Sequence, residues 1–83
     1  MQVDVMTRLA AVIREALDQP DATISPATTA DDIDGWDSLA HGVLLMRIER
    51  AFAVRLDVDT ALAAENVGAL AALVAAQLGA EPV

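Results

Sequence analysis

The sequence has no cysteine, no tyrosine and no lysine, and only one tryptophan and one phenylalanine among its 83 residues. Without cysteine there is no disulfide framework, no thiolate zinc site and no protein thiol for covalent chemistry. All five basic residues are arginines, against 13 acidic ones, so the formal net charge is −8. This charge argues against nucleic-acid binding, which needs basic side chains to neutralise phosphates.

The sequence is rich in apolar residues: 55% of the residues are hydrophobic, which is too many for a disordered acidic tail. The length predicts one domain over residues 1–83. The N-terminal stretch carries Asp4, Arg8, Arg14 and Glu15, so it is neither a signal peptide nor a membrane span, and we expect a cytoplasmic protein. A domain this small buries too little surface to enclose a catalytic cavity easily, which favours a binding or carrier module.

Apolar residues recur at helical spacing near the N-terminus, at Met6, Leu9, Ile13 and Leu17. This helix should stop near Asp18, because Pro20 disfavours helix at the residue before it. A long connection follows over residues 20–37, with apolar anchors at Ile24, Ile33 and Trp36 and acidic residues at Asp31, Asp32, Asp34 and Asp37. A loop this long in so small a domain usually has a function.

A second helix is predicted over residues 38–53, with Asp37 as its N-cap. Residues 54–59 then form a linker, and Asp59 or Thr60 caps a short helical turn through Leu62. Asn66 caps a last helix that ends at Gly79; its shared face is Val67, Leu70, Ala71, Val74 and Leu78. We therefore predict an all-α fold, a small helical bundle of three longer helices plus one short helix, with a long loop between the first and second helices.

The second helix has two apolar faces. The core face comprises Leu44, Leu45, Ile48, Ala51 and Phe52. Leu39, Val43 and Met46 lie on the opposite side, and a small bundle cannot easily bury both sides of one helix. We interpret this second stripe as exposed and as a partner site; the alternative is that the long loop folds over it.

Ser38 lies at the predicted start of the second helix, where free backbone N–H groups and the helix dipole can accommodate a phosphate. By capping preference alone, Ser38 would merely help to cap the helix. Asp37, Ser38 and His41 also contain the residue types of a hydrolase triad, but Asp37 adjoins the serine and cannot easily orient the imidazole from its far side. We therefore expect no catalytic and no metal-binding residue, and a packed or rim position for His41.

The run Gly35-Trp36-Asp37-Ser38-Leu39 and the helix that follows, from His41 to Phe52, resemble the modification site and second helix of acyl and peptidyl carrier proteins. The resemblance covers nearly the whole chain. It implies the carrier-protein helical bundle and a covalent 4′-phosphopantetheine on Ser38, transferred from coenzyme A by a phosphopantetheinyl transferase. It implies further that Asp37 positions Ser38, and that the arm's thiol carries acyl or aminoacyl thioesters.

The same resemblance places Leu39, Val43, Met46 and Arg47 toward partner enzymes: an acyl- or aminoacyl-loading enzyme, and synthase, condensing or tailoring enzymes. The sequence departs from the fatty-acid-synthesis pattern, because Ala40, Val43 and Arg50 stand where acidic residues are common. We therefore favour a carrier of specialised metabolism, of polyketide or nonribosomal peptide type, and expect a monomer that binds neither nucleic acid nor membrane. The alternative is a non-modified acidic helical module that docks partners through Leu39, Val43 and Met46.

Overall fold

The computed structural model describes residues 4–79, which fold into four α-helices and one 3₁₀ turn. Helix α1 spans Val5–Ala16, the 3₁₀ turn spans Ala30–Asp32 and helix α2 spans Ser38–Phe52. The short helix α3 spans Val58–Leu62, and α4 spans Val67–Gly79. Among the described residues there is no strand, so the predicted all-α bundle of three longer helices and one short one is confirmed. None of the described helices is long and apolar enough to cross a membrane.

The core forms where the apolar faces of α1, α2 and α4 meet. Burial of one such aliphatic side chain contributes about 1.5–3 kcal/mol. The largest fully buried side chains are Leu9, Ile13, Leu44, Ile48, Leu70, Val67 and Val74. The predicted core face of α2 is confirmed at Leu44, Leu45, Ile48 and Phe52, while Ala51 is half-buried.

Local hydrogen bonds set the ends of the helices. Asp37 caps α2 as predicted, its carboxylate accepting from the amide of Ala40. Asn66 caps α4 as predicted, its Oδ1 lying 2.8 Å from the amide nitrogen of Ala69. The cap predicted for the short helix is wrong: it is Asp57, rather than Asp59 or Thr60, that accepts from the amide of Thr60.

The last helix differs from the prediction in one further respect. Leu78 was expected on the buried face of α4, but 36% of it is exposed. The buried residues of this helix end at Val74, and residues 75–79 are all exposed. Gly79 is the last described residue, so the helix end predicted there lies at the limit of the described residues.

The long loop between α1 and α2 is held in place by contacts in its middle and at its end. Its middle caps α4: the amides of Val67 and Gly68 donate to the carbonyl oxygens of Thr28 and Pro26, at 2.9 and 2.8 Å. A Cβ at Gly68 would lie only 3.0 Å from the Pro26 oxygen, so this close approach favours glycine. The loop thereby satisfies amides that the first turn of α4 cannot satisfy itself.

Candidate functional site

Ser38 is the first residue of α2, and it is exposed. The Asp37 carboxylate accepts from the Ala40 amide at 2.8 Å, and the Asp37 carbonyl oxygen accepts from the His41 amide, also at 2.8 Å. The amides of Ser38 and Leu39 precede the first intrahelical hydrogen bond, so they point out of the helix at the positive end of its dipole. Asp37 therefore fixes the turn that presents the serine hydroxyl, with free amide donors beside it.

Two buried side chains and one glycine determine the path of the loop that precedes Ser38. Ile33 and Trp36 are buried in the core cluster, which confirms them as loop anchors, whereas Ile24 is half-buried against that cluster. Between the anchors, Gly35 adopts φ +85°, a backbone conformation that side chains disfavour, although a Cβ there would meet no atom within 4 Å. Conformation, rather than lack of space, therefore favours glycine three residues before the serine.

A shallow groove of about 320 Å³ lies beside Ser38. Its walls come from the loop, from the first turn of α2 and from the region of α3; the lining residues are Ala30, Trp36, Asp37, Ser38, His41, Leu62 and Ala64. An exposed hydroxyl, two outward-pointing amides and an open groove next to them fit a phosphodiester on Ser38 with an extended arm leading away from it. The residues present therefore suit the prosthetic group that the resemblance to carrier proteins implies.

His41 is half-buried, as expected for a packed or rim residue. Trp36 Nε1 lies 2.9 Å from its Nδ1, and its Nε2 lies 3.3 Å from the Ala61 carbonyl oxygen. Both ring nitrogens are therefore engaged by groups other than Ser38, and the Asp37 carboxylate caps the helix. This geometry does not fit a hydrolytic triad, in which the imidazole bonds the serine on one side and a carboxylate on the other. No cluster of potential metal ligands occurs among residues 4–79.

The second apolar stripe of α2 is exposed, as predicted. Leu39 is 80% exposed, Met46 63% and Val43 43%. The alternative, in which the long loop covers this stripe, is wrong, because the loop packs its anchors into the core on the other side of the helix.

Beside the stripe lies a groove of about 490 Å³ between α1 and α2. Its lining combines apolar side chains with two arginines; the residues are Val12, Glu15, Val43, Met46, Arg47, Arg50 and Ala51. Arg47 and Glu15 approach to 3.8 Å with both side chains well exposed, a pair that contributes little stability. Arg47 is therefore accessible next to the stripe, where the sequence predicted a partner contact.

Helix α3 also contributes to this region, which the sequence did not predict. Val58 and Leu62 are exposed there, and Leu62 lines the groove beside Ser38. A five-residue helix contains too few apolar positions to distinguish an inner from an outer face by periodicity. The available signal was only that two large apolar side chains occur in so short an element.

Residues 7–74 match the family model described as "Phosphopantetheine attachment site". Among solved structures, the chain is similar to the solution NMR structure of a holo acyl carrier protein from Geobacter metallireducens. The two chains are 30% identical, and they superpose with a TM-score of 0.83 over 92% of this chain and 87% of that chain. A comparison with curated proteins gave no match.

Proposed function

Because this chain belongs to the phosphopantetheine attachment family of acyl carrier proteins, we propose that it carries intermediates of a specialised-metabolism pathway, of polyketide or nonribosomal peptide type, on an arm attached to Ser38. As a family member it is a carrier without catalytic activity of its own, and its prosthetic group is a covalent 4′-phosphopantetheine. When bound, that group supplies a terminal thiol, on which acyl or aminoacyl groups are held as thioesters. Residues 1–83 act in this proposal as one carrier domain.

The observation that carries the attachment site is the position of Ser38. Its hydroxyl is exposed on the first turn of α2, and Asp37 stabilises that turn through the Ala40 amide. In the attachment step, Ser38 Oγ forms a bond to the β-phosphorus of coenzyme A and the phosphoanhydride bond breaks. Adenosine 3′,5′-bisphosphate leaves, and the hydroxyl proton passes to a base of the transferase. The outward-pointing amides of Ser38 and Leu39 stabilise the resulting phosphodiester charge.

The chain provides a matched control for this assignment, because Ser25 is its only other serine. The protein is incubated with coenzyme A and a broad-specificity phosphopantetheinyl transferase, and its intact mass is measured. We expect the wild type and Ser25→Ala to gain one phosphopantetheine and Ser38→Ala to gain none. A gain that survives Ser38→Ala would place the arm elsewhere, and no gain in the wild type would favour the non-modified interaction module.

The face that flanks the arm supports the specialised role. Fatty-acid-synthesis carriers usually present acidic residues along the second helix, whereas Ala40 and Val43 occupy such positions here and Arg50 adds a positive charge. Val43, Met46 and Arg50 line the groove beside α1, so this substitution of apolar and basic groups for acidic ones lies on accessible surface. Partners of this carrier therefore meet an apolar stripe bordered by arginine.

Complementation tests the pathway assignment. The protein is expressed in a bacterial strain whose own fatty-acid carrier can be depleted, and its phosphopantetheinylation in that strain is verified by intact mass. We expect that the modified protein will not restore growth, because fatty-acid-synthesis partners adapted to an acidic second helix meet Val43 and Arg50 instead. Full rescue of growth would assign the chain to fatty-acid synthesis.

A further inference from the structure

His41 joins three separate parts of the molecule through its imidazole ring. Trp36 Nε1 lies 2.9 Å from Nδ1, and an indole N–H can only donate, so Nδ1 accepts and carries no proton. The proton of the neutral ring then lies on Nε2, which donates to the Ala61 carbonyl oxygen at 3.3 Å. The two ring planes are inclined by only 25°, and their centroids lie 5.9 Å apart.

These two hydrogen bonds connect three elements whose buried residues also pack in the core. Trp36 belongs to the loop before α2, His41 to the first turns of α2, and Ala61 to α3. Helix α3 has five residues, far below the length at which an isolated helix is stable, so its position depends on tertiary contacts. Ala61 is fully buried, and its carbonyl oxygen is the point at which a side chain of α2 holds the backbone of α3.

The connected elements are the walls of the groove beside Ser38. Trp36 forms the loop side, Leu62 and Ala64 form the α3 side, and His41 lies between them, three residues after Ser38. From this geometry we propose that His41 is a positioning residue, which fixes both walls of the groove relative to the Ser38 hydroxyl and so presents that hydroxyl to the modifying transferase. The proposal rests on the function proposed above, and it gives His41 no role in proton transfer, because both ring nitrogens are engaged.

Two conservative variants separate the two hydrogen bonds. The amide oxygen of asparagine reaches the position of Nδ1, so His41→Asn keeps the bond from Trp36 and loses the bond to Ala61. The amide nitrogen of glutamine reaches the position of Nε2, so His41→Gln keeps the bond to Ala61 and loses the bond from Trp36. His41→Ala removes both, and it completes the series.

Two NMR signals report on the two bonds in the apo protein. Trp36 is the only tryptophan, so its indole N–H resonance is unique. We expect His41→Gln to shift this resonance and His41→Asn to preserve it. We expect His41→Asn to accelerate amide exchange at Ala61 and Ala63 by roughly three- to tenfold, the range that corresponds to the net contribution of one hydrogen bond, and His41→Gln to change it by less than about twofold.

Transfer kinetics then test the functional consequence. If the groove walls are loosened, only a fraction of molecules present the receptive arrangement, and the apparent affinity falls by that fraction. We expect His41→Ala to raise the transferase KM for this carrier by roughly three- to tenfold, with kcat changed by less than about twofold, and each conservative variant to restore part of the loss. An unchanged KM in all three variants, or identical effects of His41→Asn and His41→Gln on both NMR signals, would overturn the proposal. Failure of the wild type to gain phosphopantetheine would instead refute the proposed function, since the NMR signals do not depend on modification.

Discussion

Replacement of Asp37 tests whether this side chain acts as a helix cap or through its charge. Its Oδ1 lies 2.8 Å from the Ala40 amide nitrogen, and its backbone is extended, as an N-cap requires. Loss of such a cap costs about 1 kcal/mol, and asparagine caps as well as aspartate. We therefore expect Asp37→Ala to lower the free energy of unfolding by about 1 kcal/mol, and Asp37→Asn to lower it by only a few tenths.

The measurement is equilibrium unfolding in urea, followed by the fluorescence of Trp36. This single tryptophan is buried one residue before the cap, so its emission reports on the same part of the fold. For a domain of this size, a loss of 1 kcal/mol corresponds to a decrease in Tm of about 4–8 °C, which a thermal melt verifies independently. Equal destabilisation by Asp37→Ala and Asp37→Asn would refute the capping role and assign the effect to the carboxylate charge.

Three further predictions follow from other parts of the structure. Met46→Asp and Val43→Asp place a charge on the exposed stripe, so we expect each to abolish loading by the cognate loading enzyme. Because both positions are exposed, Tm should stay within about 2 °C of the wild-type value. Normal loading of these variants would contradict the docking role. Hydrogen bonds from the Thr60 hydroxyl and amide lower the pKa of Asp57 below its ordinary value of 3.8, so the stability that this carboxylate contributes is present above pH 3.8 and is lost as the pH falls through the lowered pKa. We therefore expect the free energy of unfolding of Asp57→Asn to fall less steeply than that of the wild type as the pH is lowered through this range. An equally steep fall in both proteins would contradict this prediction. Ala53 ends α2 with φ 55°, a left-handed conformation that costs a residue with a Cβ roughly 1 kcal/mol relative to glycine, so Ala53→Gly should raise the urea midpoint.

Local patterns predicted α2 well because its determinants are adjacent in sequence. Asp37 supplies the cap directly before Ser38, and the apolar period separates a buried face from the stripe, so the predicted helix over residues 38–53 differs from Ser38–Phe52 by one residue. The same reasoning failed for α3. Asp57 and Asp59 are both good N-caps two residues apart, and burial of Leu56 together with the Thr60 contact decides between them.

The contacts of His41 lay beyond sequence reasoning for a different reason. Its partners are Trp36, five residues earlier in a loop, and Ala61, 20 residues later in another helix. No periodicity links such positions, because the bend at Gly35 and the packing of α3 bring them together. A histidine at the edge of an apolar face could be predicted to pack there, but its two hydrogen-bond partners could not be predicted without the fold.

The acidity that dominates the composition is partly a consequence of helix capping. Asp4, Asp37 and Asp57 cap three of the helices, and Asp32 accepts from the Thr29 amide at the 3₁₀ turn. Four of the 13 acidic residues are therefore placed by the need to satisfy free amides at helix starts. Of the acidic residues before Ser38, Asp37 caps α2 and Asp32 caps the 3₁₀ turn, whereas Arg50 lies on the accessible part of α2. A net charge of −8 thus says little about the surface proposed to meet partners, where apolar side chains and two arginines line the groove.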